Sequence, residues 1–116
     1  MQTPLQISFH GLPASEAVER DVRGWVAQLE HVFPRIVSCR VTIEIPHRHQ
    51  QRGQLYRVQV DVGVPRSHLI AGRTTDDDPA HADVYIAIRD AFRAAKRQLE
   101  SRDRRDRNDL DPGAAG

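Results

Sequence analysis

Two segments of this chain alternate apolar and polar residues, and that period of two forces a half-buried β-sheet. In 36–45, Cys39, Val41, Ile43 and Ile45 alternate with Ser38, Arg40, Thr42 and Glu44. In 55–64, Tyr56, Val58, Val60, Val62 and Val64 alternate with Arg57, Gln59, Asp61 and Gly63. Successive side chains of a strand point to opposite faces, so each segment carries one apolar face and one polar face. Such a sheet needs a covering layer on its apolar side only.

The cover is supplied by two segments with helical period. Val18, Val22, Trp25, Val26, Leu29, Val32 and Phe33 recur at helical spacing. Ser15 is suited to cap this helix, Glu16 suits its positive end, and Pro34 stops it. Near the other end, Val84, Tyr85, Ile88, Phe92, Ala95 and Leu99 form a second apolar stripe, with Asp83 placed to cap. Leu5, Ile7 and Phe9 alternate in a short first strand, and 68–74 reads as a short strand of weaker pattern. The expected fold is α/β (α+β), a two-layer sandwich in the order β-α-β-β-β-α. It has a four-stranded sheet with both helices packed on one face. The expected domain spans 1–101, with the last helix ending near residue 102. Residues 102–116, where arginines balance aspartates and apolar residues are few, read as a disordered charged tail.

With 116 residues the chain has room for one modest core. No apolar run approaches the roughly 20 residues that span a bilayer. The first residues carry neither a basic start nor an apolar block, so no secretory signal is expected. The one cysteine, Cys39, has no internal partner, and the expected compartment is the cytoplasm.

Net charge is +1, yet the charges are unevenly distributed. Residues 35–73 hold seven arginines against Glu44 and Asp61. Residues 84–97 hold Arg89, Arg93, Lys96 and Arg97 against Asp90, and these four cations lie beside the apolar stripe of the second helix. A helix that buries one side and shows arginines on the next suits phosphate: guanidinium forks match phosphate oxygens, and each neutralised phosphate releases counterions. The competing reading is an ordinary solvated helix face.

Other clusters are weaker. The polar loop at 46–54 carries His47, Arg48, His49 and Arg52, a basic protrusion suited to an RNA groove. His47 and His49 face one way on an extended segment, but His10, His31, His68 and His81 are scattered and no third ligand is evident, so no metal is expected. Asp76, Asp77 and Asp78 read as a solvated charge run rather than a magnesium site. Cys39 falls on an apolar face and reads as buried. Trp25 and Tyr85 read as core. There is no phosphate-cradling glycine loop, no Ser-His-Asp arrangement and no convergent carboxylate pair, so neither an enzyme nor a cofactor is expected.

The run Asp83-Val84-Tyr85, followed by Ala87-Ile88 and Arg97-Gln98-Leu99, resembles the closing helix of the bacterial ribosome hibernation-promoting factor family, also described as ribosome-associated inhibitors or sigma-54 modulation proteins. The capped helix ending in Leu29-Glu30 and Phe33, and Arg35-Ile36 before a valine-rich strand, extend the resemblance over roughly residues 5–100. The resemblance implies a protein that docks on the small ribosomal subunit, in the channel of messenger and transfer RNA. It implies contact with 16S rRNA through basic side chains and reversible silencing of translation under stress. It also implies the short class, without the second dimerisation domain of long members. By this resemblance Arg35 and Arg97 hold family cation positions. Arg20, Arg23, Arg48, Arg52, Arg89, Arg93 and Lys96 join them as RNA-binding candidates on their basic chemistry. Trp25, Gln28 and Ala94 stand where family helices often carry lysine.

Two other functions stay open on the residues alone. One is an RNA-binding module with a non-ribosomal target. The other is a protein-interaction domain that uses the open sheet face or an edge strand, as in modulation of a stress or sigma factor.

Overall fold

The computed structural model describes residues 1–45, 55–74 and 78–110. In chain order these form β1 (Gln6–His10), α1 (Glu16–Val32), β2 (Ser38–Glu44), β3 (Arg57–Val64), β4 (Ser67–Arg73), a short 3₁₀ turn (Pro79–Ala82) and α2 (Val84–Leu110). The sheet is mixed, in the order β1-β2-β3-β4. β1 lies parallel to β2, and the remaining pairs are antiparallel. A parallel pair needs a crossover, and α1 provides it.

Register follows the alternation. Val41 stands opposite Val60 and Ile43 opposite Val58, all fully buried. Their polar neighbours face the other way, where Glu44 and its partner Arg57 form a 3.1 Å ion pair. One core cluster joins Val18, Val22, Val26 and Leu29 of α1 to the sheet and to Ile88, Phe92, Ala95 and Leu99 of α2. Both helices therefore cover the same face, as expected.

The weak pattern of β4 has a physical cause. The pairing with β3 slips between Val60 and Asp61, so Val60 faces Gly72 while Asp61 faces Ile70. Ala71 is the extra residue of a bulge, and both Ala71 and Gly72 end up buried. At Gly72 the backbone of α2 comes directly onto the strand. A Cβ there would stand 2.1 Å from the Ala91 carbonyl oxygen and 3.2 Å from the Ala95 nitrogen.

The caps are those the sequence offers. The Ser15 hydroxyl accepts from the Val18 N–H at 3.3 Å, and the Asp83 carboxylate accepts from the Tyr85 N–H at 2.9 Å. Two expectations need correction. α2 runs past residue 102 to Leu110, so 102–110 are helical rather than tail. Arginine is a good helix former, the charges recur three and four apart, and the first breakers are Pro112 and Gly113. Tyr85 is not core: it is 44% exposed, because Ala87 and Ala91, not Tyr85, complete the buried stripe.

Candidate nucleic-acid interface

Trp25 of α1 lies level with Phe92 of α2. Their rings stack with centroids 6.1 Å apart and planes 13° from parallel. A groove of about 240 Å³ follows this contact, lined by Trp25, Gln28, Leu29 and Val32 on one side and by Phe92, Arg93 and Lys96 on the other. Arg97 lies four residues beyond Arg93, one turn along the same flank.

The four ridge cations of α2 differ in state. Arg89 is half-buried and gives two 3.2 Å hydrogen bonds, from Nε and Nη2, to Asp90 Oδ1. Arg93, Lys96 and Arg97 are exposed, and among the described residues no carboxylate lies within ion-pair distance of them. Burial acts to raise the Asp90 carboxyl, but hydrogen bonds from His81 and Arg89 and their charges outweigh it and hold Asp90 below the usual carboxylate range.

α1 does not extend this ridge. Arg23 lies two residues before Trp25, about 200° round the helix and so away from the groove. It is exposed and sits 3.9 Å from Glu19. Arg20 is exposed on the outer surface of α1. Asp21 lies one turn before Trp25 on α1, and among the described residues its buried Oδ2 has no hydrogen-bond partner. Burial pushes the Asp21 carboxyl up, against the lowering effect of the Trp25 side-chain hydrogen bond. Arg35 is exposed in the segment between α1 and β2. Arg48 and Arg52, with His47 and His49, lie outside the described residues, as do Asp76 and Asp77.

Among the described arginines of 35–73, Arg57 pairs with Glu44, and Arg40 donates to Gln6 Oε1 at 3.0 Å on the open sheet face. Cys39 is buried as expected, and burial pushes its thiol up to about 12, with the Asp61 and Glu30 charges adding to the effect.

Sequence reasoning missed His81. It is 2% exposed in the 3₁₀ turn, and its Nε2 lies 2.9 Å from Asp90 Oδ2. Nine residues separate the pair, with a turn between them, so no periodicity points to it. The available signal was a histidine beside a capping Asp-Pro and ahead of a helix.

The sigma 54 modulation protein / S30EA ribosomal protein family model matches residues 5–107. No curated protein is similar to the chain at a significant level. Among solved structures, a ribosomal subunit interface protein from Coxiella burnetii superposes with a TM-score of 0.66 at 15% identity, covering 85% of this chain and 96% of that one. The N-terminal domain of Protein Y from Thermus thermophilus superposes with a TM-score of 0.62 at 17% identity, covering 85% and 98%. These likenesses establish the fold, and no helix among the described residues is long and apolar enough to cross a membrane. On a match that spans both helices and the whole sheet, the chain belongs to the sigma 54 modulation protein / S30EA ribosomal protein family, a family of ribosome-associated proteins.

Proposed function

We propose that the protein silences translation by occupying the messenger and transfer RNA channel of the small ribosomal subunit. On this reading the α2 ridge grips 16S rRNA phosphates, and the folded body excludes the natural occupants. Family membership supports a ribosomal partner. The observation that carries the RNA contact is the alignment of Arg93, Lys96 and Arg97 on one flank, exposed and, among the described residues, without carboxylate partners. Unpaired cations are the ones that can exchange water and counterions for phosphate. Arg89, held by Asp90, contributes less, and Arg20 and Arg23 lie off the ridge. Arg35, Arg48 and Arg52 remain part of the proposed contact on their charge.

The test is co-sedimentation with purified small subunits over a salt series. Binding at about 50 mM salt that falls by orders of magnitude at about 200 mM is the expected result. Replacing Arg93, Lys96 and Arg97 together with glutamine should lower the slope of log affinity against log salt by roughly 2 to 3. Absence of co-sedimentation at low salt overturns the proposal. Equal affinity for free duplex RNA would redirect it to a shape-reading RNA module.

A further inference from the structure

Behind the ridge, the 3₁₀ turn and α2 bring three ligand-bearing side chains to one point. We propose that Asp78, His81 and Asp90 form a binding site for a divalent transition-metal ion of the Zn²⁺ type. His81 Nε2 lies 2.9 Å from Asp90 Oδ2 and 3.8 Å from Asp78 Oδ2. One ligand atom from each of the three residues falls within 4.8 Å of the others. Tetrahedral zinc with bonds of about 2.0–2.2 Å sets its ligands roughly 3.3–3.6 Å apart, between the two shorter separations.

Each ligand is oriented through an atom that the ion would not use. Asp78 Oδ1 accepts the Ala80 N–H at 2.9 Å. Asp90 Oδ1 accepts from Arg89 at 3.2 Å. The backbone of His81 is held on both sides: its N–H donates to the Asp78 carbonyl at 3.0 Å, and its own carbonyl accepts the Tyr56 N–H at 2.9 Å. This is the arrangement by which outer contacts aim metal ligands.

The proton count separates the site from a plain ion pair. Two carboxylate oxygens converge on one imidazole nitrogen, which brings at most a single proton to share between them. A dication satisfies both carboxylates and takes the nitrogen lone pair as well. Asp78 and Asp90 are partly exposed, so an ion has a path in and a water can complete the coordination. One imidazole with two carboxylates suits zinc, cobalt or manganese better than an all-oxygen site for calcium. A bound ion would tie the 3₁₀ turn to α2 and would raise thermal stability by binding the folded chain alone.

The experiment uses the full chain, stripped with chelator, and Zn²⁺ as the probe. Titration calorimetry against a competing chromogenic chelator reads affinity, and a melting curve reads the ion-dependent rise in Tm. Expected are one tight equivalent and a Tm rise for the wild type. Asp78→Asn keeps the oxygen that caps Ala80 yet weakens a ligand, and Asp90→Asn does the same at the other carboxylate. Each should lower affinity by about tenfold or more and shrink the Tm rise. Because His81 is buried, His81→Gln is read only where circular dichroism shows the fold intact, and Asp78→Asn carries the test otherwise. The double variant His47→Gln/His49→Gln should bind as the wild type does. The site is refuted by a wild type that binds no Zn²⁺ at micromolar concentration. It is equally refuted if both asparagine variants bind unchanged, or if affinity is lost only in the His47/His49 variant.

Discussion

The two helices cover the same sheet by different means. α1 presents branched side chains, with Val18, Val22 and Val26 buried in a row. α2 presents alanines, with Ala87, Ala91 and Ala95 fully buried beside Ile88 and Phe92. Alanine lets the α2 backbone descend onto Gly72 of β4, where no Cβ fits between them. A backbone-on-backbone contact leaves a helix little freedom to roll. With its alanine face held against β4, α2 turns Arg93 and Lys96 toward the groove beside α1. α1 rests on longer side chains, and the side it turns to the same groove carries Trp25, Gln28 and Val32 rather than cations. The smallest residues of a helix can thus decide where its largest ones point.

The contrast breaks most sharply at Gly72. Gly72→Ala sets a Cβ against the Ala91 carbonyl, so one of the two backbones must shift. Overpacking of this kind costs about 1–3 kcal/mol, at the upper end for a backbone clash, read as a lower midpoint in chemical denaturation. If Gly72→Ala is neutral, the close approach does not hold α2 in place.

Next in size is the ridge itself. Reversing Arg93, Lys96 and Arg97 to glutamate should weaken small-subunit binding by about a hundredfold or more at low salt. Reversing Arg20 and Arg23 on α1 should change it by less than about threefold. Equal losses from the two sets would erase the distinction between the helices.

A smaller effect has the opposite sign to the first. Gly24 lies exposed in α1 with nothing within 4 Å of a built Cβ, so Gly24→Ala should stabilise by about 0.5–1 kcal/mol. Thermal melts of the two alanine variants, run side by side, would then move in opposite directions.

The finest discrimination comes from one aspartate on each helix. The Asp21 carboxyl is pushed up by burial, so the folded chain holds a proton that the unfolded chain releases at lower pH. Stability is therefore lost as pH rises through the raised value, and Asp21→Asn should stabilise at neutral pH. Asp90 is the reverse case. Burial opposes its charge, but His81 and Arg89 hold its carboxyl low. Its contribution is present above the ordinary carboxylate range and is lost as pH falls through the depressed value, so Asp90→Asn should destabilise at neutral pH. Denaturation midpoints from about pH 3 to about pH 7 check both signs.

Much of the architecture was legible because it rests on local periodicity. Val58, Val60 and Val62 alternate in the sequence and share one buried face in the sheet; Ser15 and Asp83 cap the helices they precede. Legibility failed where a neighbour decided the outcome. Tyr85 fits the apolar stripe by spacing, yet Ala87, Ala91 and Ala95 take the fully buried positions, and Ala91 and Ala95 are the residues that meet Gly72. The bulge at Ala71 blurred the alternation of β4, since one inserted residue shifts every side chain after it to the other face. Beyond Ser101 low apolar content hides a helical stretch, although arginine-rich segments with alternating charge favour helix.

The chain alone determined which segments are strands, which are helices and which faces are apolar, because these follow from periods of two and 3.6 that need no partner. Tertiary structure decided what the cations of one helix meet. Arg89 and Arg93 lie one turn apart on α2, but the first is held by Asp90, whose other oxygen meets the buried His81, and the second faces the groove beside α1. Spacing along one helix sets the direction of a side chain; only the packing of a second element against it sets what that side chain meets.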